Sequence, residues 1–318
     1  MVKLLVVEDS PVERRLVGAI LERNIPDAII LYAEDGREAL HELARSEVDL
    51  VLTDLMMPHV TGLELVEEMR AIGCHVPVIL LTGFGNEDIA AQALLAGASS
   101  YIPKRALPKY LIATVKNVLF VAPTRKLSAS KPAGVTELVS HFSLDNDSAK
   151  ATTIVEYLVG QLRFLETYND TQITHTGIAL QEALSNAIYH GNLELSSTLR
   201  HDDDSKYYEL AEVRSKTAPF QGRRVIIHAN VDRNQARYVI RDAGPGFDVN
   251  AAHRAAGDLD NFDLVSGRGL LLIRSFMDEV NHNAAGNEIT LVKRQHAQAE
   301  RAPAIDGSAS AYVAPSTN

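Results

Sequence analysis

Five short apolar runs, each followed by an amphipathic stretch, fill the first 120 residues, and this alternation constrains the fold more than any other feature. The runs span residues 4–7, 29–32, 50–53, 78–81 and 100–102, with helix-period segments near 11–23, 36–46, 62–72, 86–96 and 108–119. Runs this short and this uniformly apolar read as strands buried on both faces, and strands separated by helices pair in parallel. The expectation is a doubly wound, five-stranded parallel α/β domain over residues 1–122. Local punctuation agrees: Ser10-Pro11 is an N-cap followed by proline at the first helical position, and Gly97 stands where a helix should end.

Residues 123–136 are polar and turn-rich and read as a linker. The order of elements then changes. A short strand is expected near 137–142, followed by long helices over 147–167 and 173–190. An acidic insert, His201-Asp202-Asp203-Asp204, runs into a helix through 207–214. Strands over 223–231 and 235–242 precede a glycine-rich loop, a helix over 267–277, and a closing hairpin of 279–282 with 288–293. Sequence-adjacent strands with few crossovers imply an α+β two-layer sandwich over 137–294. The Ala/Pro/Ser-rich stretch 295–318 has little to bury and is expected to be disordered.

Composition narrows the function. With 31 Lys+Arg against 41 Asp+Glu the net charge is −10, a poor match for nucleic acid or an anionic membrane. No helix-turn-helix or basic recognition stretch follows the linker, so direct nucleic-acid binding is not expected. The single cysteine, Cys74, rules out an internal disulfide and a thiolate metal cluster. No apolar run approaches the roughly 18 residues of a membrane span, and the opening run stops at Glu8-Asp9, too short for a signal-peptide core. A cytoplasmic protein without a membrane partner is expected.

In an open parallel sheet, function gathers beyond the carboxyl ends of the strands. Those ends read Glu8-Asp9, Asp54, Thr82 and Lys104. Three carboxylates converging on one crevice repel each other and call for a hard cation such as Mg²⁺. With a lysine and a hydroxyl opposite, such a site can stabilise a phosphoryl group in transfer, with Asp54 as nucleophile. Over its whole length this half resembles a response-regulator receiver domain. The matching segments are Val6-Val7-Glu8-Asp9-Ser10, Leu52-Thr53-Asp54-Leu55-Met56-Met57-Pro58 with Gly62, Leu80-Leu81-Thr82-Gly83, Gly97-Ala98 and Tyr101-Ile102-Pro103-Lys104. The resemblance implies that Asp54 is the phosphoacceptor, with a sensor histidine kinase as phosphodonor. Glu8, Asp9, Asp54 and the Met56 backbone carbonyl would hold Mg²⁺. Thr82 and Lys104 would meet the phosphoryl group, and Tyr101 would be the coupled switch. One departure is Arg105, where the family usually has proline.

The second half lacks a Gly-x-x-x-x-Gly-Lys-Ser/Thr loop. On the helix expected over 173–190, Glu182, Asn186 and His190 follow one another at i, i+4 and i+8 and share a face. Arg241-Asp242-Ala243-Gly244-Pro245-Gly246 ends a strand in an acid that can accept from an exocyclic amine. Gly267-Arg268-Gly269-Leu270 opens a helix whose amides can receive phosphate. In this order the motifs resemble the ATP-binding domain of histidine kinases and gyrase, specifically its anti-sigma-factor serine kinase branch. By that resemblance Glu182 is a general base toward a partner hydroxyl, Asn186 a Mg²⁺ ligand and Asp242 the adenine reader. Gly244, Gly246, Gly267 and Gly269 would shape the ATP pocket and its lid. The insert from 193 to 222 departs from the branch.

The implied function is a response regulator whose Asp54 phosphorylation controls an ATP-dependent protein serine/threonine kinase. Its partners would be an antagonist protein or a sigma factor, and a homodimer is compatible. The alternative is a nucleotide-dependent binding module without turnover. Ser140-His141-Phe142 superficially resembles a phosphoacceptor-histidine box, but it lies in an alternating, strand-like run.

Overall fold

A computed structural model describes residues 2–83, 87–122, 134–196, 204–247 and 268–295. Strands β1 (Lys3–Val7), β2 (Ile29–Ala33), β3 (Leu50–Asp54), β4 (Val78–Thr82) and β5 (Ser100–Pro103) form a parallel sheet in the order β2-β1-β3-β4-β5. Every residue of β3 and β4 is buried, as the uniformly apolar runs require. Helices α1 (Pro11–Asn24), α2 (Gly36–Arg45), α3 (Gly62–Ala71) and α4 (Glu87–Leu95) supply the crossovers, and α5 (Leu107–Val121) follows the last strand. The Ser10 hydroxyl accepts from the Glu13 amide at the head of α1, and Thr61 and Glu64 form a capping box on α3. After α4 the chain turns at Gly97, whose φ of +114° suits glycine. There the half-buried Arg70 guanidinium donates to the carbonyls of Gly97, Cys74 and Val76, tying two loops together.

The second sheet is antiparallel, in the order β6-β7-β8-β10-β9, from β6 (Glu137–Leu144), β7 (Val225–Asp232), β8 (Gln235–Arg241), β9 (Glu279–His282) and β10 (Glu288–Arg294). Helices α6 (Ser148–Leu165), α7 (Asp170–Ser185), α8 (Asp204–Ser215) and α9 (Arg268–Phe276) accompany it. This is the sandwich expected. His141 does lie in β6, ring-to-ring with His228 of β7.

One element departs from expectation. The helix read as continuing to residue 190 leaves α geometry at Asn186 and runs as a π-helix over Asn186–Asn192. The wider turn brings the wholly buried Asn192 inward. Its Nδ2 donates to Asn146 Oδ1 at 2.8 Å, and its Oδ1 accepts from the Ala243 amide at 2.8 Å. Two satisfied amide contacts at a buried position hold the irregular turn in place.

The two halves pack together. Residues 173–180 of α7 are buried on every side, because α6 and α9 flank the helix and α5 lies along it. At Gly177 they come close: a Cβ there would stand 2.6 Å from Val121 Cγ1 and 3.0 Å from Val159 Cγ2. His175 stacks on Phe276 and bonds the Ala98 carbonyl through Nε2 at 3.0 Å. A carbonyl only accepts, so Nε2 carries the proton. Burial, reinforced by the nearby Lys293 charge, pushes this imidazole down to about 3, leaving it neutral. Arg163 donates to the Val121 carbonyl, and His75 pairs with Thr171.

Candidate functional site

At the carboxyl edge of the first sheet, β1 delivers Glu8 and Asp9 while β3 ends in Asp54. One ligand oxygen from each lies within 4.8 Å of the others. Lys104, in the 3-10 turn Lys104–Ala106 that leads into α5, stands 2.9 Å from Glu8 and 2.9 Å from Asp54. It also pairs with Glu13. Glu13 is absent from the sequence reading; its signal is its place one turn after Asp9, on the first turn of α1 facing the same crevice. Burial is the main force on Glu8 and raises its pKa to about 7, with Asp54 repulsion adding and the Lys104 bond opposing. Asp54 is raised chiefly by burial, against bonds from Lys104 and from the Met56 and Leu55 amides. Burial disfavours the Lys104 ammonium, yet its bonds to Glu13, Asp54 and Glu8 outweigh that and raise its pKa.

Thr82 ends β4, 4% exposed, and Tyr101 lies in β5, equally buried. Gly62 is needed because α3 starts against the back of β3: a Cβ there would lie 3.0 Å from Leu55 Cα and collide with the Asp54 carbonyl. Three crowded carboxylates with one cation among them form a hard-oxygen donor set that fits Mg²⁺. Four of the strand-end groups named from the sequence, Glu8, Asp9, Asp54 and Lys104, thus come together around one crevice, and Thr82 ends β4 beside β3.

In the second half a cavity of about 280 Å³ opens between the π segment and the sheet. Asn186, His190, Asp242, Phe247, His282 and Glu288 are among its walls. Asp242 follows β8 directly; its amide donates to the Asn287 carbonyl, and its Oδ1 accepts from the Gly244 amide at 2.8 Å. Burial raises the Asp242 pKa, with the Gly244 bond opposing. Gly191 lies flush against this carboxylate: a Cβ there would stand 2.6 and 2.7 Å from the Asp242 oxygens. Gly246 and Gly286 both have positive φ, and the two loops they turn pack backbone to backbone. Phe247 and His282 meet edge to face at 5.3 Å on the cavity wall. Neither was singled out from the sequence, although an aromatic directly after the glycine loop, 43% exposed here, is a usable signal.

Glu182 and Asn186 stay one helical turn apart, the Asn186 amide bonding the Glu182 carbonyl. Asn186 and His190 line the cavity, whereas Glu182 lines a smaller cleft against α5. Gly269 stands between the two positions: its Cβ would be 2.8 Å from Glu182 Oε2 and 3.9 Å from Asn186 Nδ2. Gly267 lies outside the described residues, as do residues 123–133 of the expected linker, residues 201–203 of the acidic insert and residues 296–318 of the tail. Within the described parts of the insert, 193–196 and 204–222, Arg214 donates to the Leu193 carbonyl at 2.6 Å, and Glu194 forms an ion pair with Arg223 at 2.7 Å.

Comparison with known proteins accords with this architecture. Residues 4–116 match the family model of the response regulator receiver domain, and residues 145–293 match that of the histidine kinase-like ATPase domain. The chain therefore joins a receiver domain to a histidine kinase-like ATPase domain. It is 36% identical over 151 residues to the transcriptional regulatory protein ResD of Bacillus subtilis, covering 47% of this chain and 62% of that protein. It is 34% identical over 155 residues to the phosphate regulon transcriptional regulatory protein PhoB of Klebsiella pneumoniae, covering 48% and 63%. The chain thus spans less than two thirds of these relatives. Among solved structures, a response regulator receiver domain protein of Clostridium thermocellum aligns with 37% of this chain and 93% of its own, at 29% identity and a TM-score of 0.35. Among the described residues no helix is long and apolar enough to cross a membrane.

Proposed function

We propose that the protein is a response regulator in which phosphorylation of Asp54 by a sensor histidine kinase controls an ATP-dependent serine/threonine kinase of the anti-sigma-factor type. The observation that carries the first part is the convergence of Glu8, Asp9, Asp54 and Lys104 on one crevice. Bound there, Mg²⁺ would neutralise charge on a transferring phosphoryl group; Glu8, Asp9, Asp54 and the Met56 carbonyl would hold it. Asp54 would attack, Lys104 would exchange its carboxylate partners for phosphoryl oxygens, Thr82 would close on the group from β4, and Tyr101 would follow. For the output domain, Asp242 and the flanking Gly191, Gly244 and Gly246 would receive adenine in the cavity. Asn186 would hold the metal of the nucleotide, and Gly267 and Gly269 would serve the lid. Glu182 would take the proton from a serine of an antagonist protein.

A second reading, a binding module for a sigma factor or its antagonist without turnover, is favoured by one observation. Glu182 lines the cleft against α5 and is not among the described residues that line the larger cavity. Radiolabelled γ-phosphate from ATP separates the two against a candidate antagonist. Serine labelling that falls about 10²–10⁴-fold in Glu182→Ala while nucleotide affinity holds supports the kinase. Labelling untouched by that substitution removes its base. Asp54→Asn should abolish labelling of the receiver by a small phosphodonor with Mg²⁺; labelling that persists refutes the phosphoacceptor assignment.

A further inference from the structure

His141, singled out from the sequence and given no part in the reading above, stands within the β6–β7 ladder directly opposite His228. Both side chains are exposed, on the face of the sheet that alternates with buried Ser140, Ile227 and Ala229. The nucleotide cavity lies on the other face, where Ile240 and Ile289 continue the row from Ile227. The two imidazoles meet edge to face with ring centroids 4.4 Å apart. Among the described residues none donates to or accepts from either ring. Each imidazole in its neutral form therefore has one nitrogen lone pair to offer.

The spacing suits a shared ion. A metal–imidazole bond is about 2.1 Å long, which puts the ring centroid about 3.2 Å from the metal. Two rings bound at a right angle then have centroids about 4.5 Å apart, and at the tetrahedral angle about 5.2 Å. The observed separation matches the right angle, the cis arrangement of a tetragonal or octahedral site. We propose that His141 and His228 chelate one divalent transition ion of the imidazole-binding kind, Ni²⁺ or Cu²⁺, with water in the remaining positions. The frame is preorganised: pairing runs unbroken from Glu137 opposite Asp232 to Leu144 opposite Val225, so binding freezes only two side chains. Their neighbours on the same face, Val139, Ser143, Ile226 and Asn230, add no carboxylate, and the Asn230 amide is already bonded to Glu137. A donor set of imidazoles alone selects against Mg²⁺, which the carboxylate crevice suits instead. A bound ion would tie β6, at the end of the sheet order, to β7 by a link additional to the backbone ladder. The site is separate from the Asp54 crevice and the nucleotide cavity and does not depend on the kinase reading.

The test uses the full chain, with excess Mg²⁺ present to compete for the carboxylate crevice. Calorimetric titration with Ni²⁺ compares the parent with His141→Asn and His228→Asn. Both positions are exposed, and a thermal melt without transition metal confirms that each variant is folded. The parent should bind one tight equivalent. Each variant should bind it at least about 10- to 100-fold more weakly, since losing one of two direct ligands costs no less than losing an outer-shell partner. Substoichiometric Cu²⁺ supplies a second readout: its electron paramagnetic resonance spectrum should show two equatorial nitrogens in the parent and one in either variant. Equal Ni²⁺ affinity in the parent and both variants overturns the site. So does a loss confined to one variant, which makes the other imidazole a bystander, and so does a parent copper spectrum with a single nitrogen.

Discussion

Gly191→Ala should weaken nucleotide binding without harming the fold, and the structure sets the size of the effect. Gly191 lies inside the π segment, and its φ is outside the left-handed region, so alanine is acceptable to the backbone. In helical backbone the substitution is even favourable by up to about 1 kcal/mol. The obstacle is the neighbour. A Cβ at 191 would stand 2.6 and 2.7 Å from the two Asp242 oxygens, where ordinary contact begins above 3.4 Å. The Asp242 backbone cannot retreat, because its amide is bonded to the Asn287 carbonyl at 3.0 Å. The carboxylate must rotate, giving up the Gly244 amide at 2.8 Å and the position from which it would accept from adenine. Losing a hydrogen bond to a charged acceptor costs about 1.5–3 kcal/mol, or roughly 10- to 150-fold in affinity. Titration with a fluorescent ATP analogue, beside a thermal melt, reads both quantities. Unchanged affinity with an unchanged melt would refute the assignment of Asp242 as the adenine acceptor.

Three further outcomes are expected. Lys104→Ala removes the cation that bridges Glu8 and Asp54, and should cost about 2–3 kcal/mol at neutral pH; millimolar Mg²⁺ should restore most of it, and a melt insensitive to Mg²⁺ would contradict the cation site. Asn192→Ala strands the Ala243 amide and the Asn146 side chain, and should cost about 2–3 kcal/mol in urea denaturation; a loss below about 0.5 kcal/mol would show that the buried amide does not hold the π turn. His175 is neutral when folded, with its pKa lowered to about 3, so its contribution is complete above the unfolded value near 6.5 and is lost as pH falls below it. The slope is about 1.4 kcal/mol per pH unit. His175→Phe should flatten that slope between about pH 6.5 and about pH 5, and identical slopes would place the titration elsewhere.

The carboxylate crevice was legible from the sequence because its residues sit at strand ends, and a parallel sheet brings all its carboxyl ends to one edge. Glu8, Asp54, Thr82 and Lys104 needed only the strand periodicity to be placed. Glu13 escaped because a helix-borne acid in a first turn also reads as a partner for the helix dipole. The second half was harder. Residues 186–192 carry no signal for π geometry; what fixes it is the inward pull on Asn192 by Asn146, 46 residues away, and by Ala243. The dock between halves was hidden for a similar reason. Thr174, His175 and Thr176 look like an exposed polar stripe, yet all three are buried, since the receiver supplies a fourth wall around α7. Helical periodicity registers how many faces are apolar and is blind to a wall whose partners are backbone carbonyls.

The fit of Gly177 against Val121 bears on how such chains can be rearranged by recombination. His175 asks only for a backbone carbonyl at the turn before β5, which a receiver of any sequence presents. The Gly177 notch asks for more: a side chain of valine size, at the final residue of α5, approaching to within methyl-group contact. A foreign receiver grafted ahead of residue 134 would thus meet an interface that is half generic and half keyed. Those ending α5 in a small branched residue would be inherited as regulated modules, and those ending it in a bulky or charged one would arrive as passive cargo.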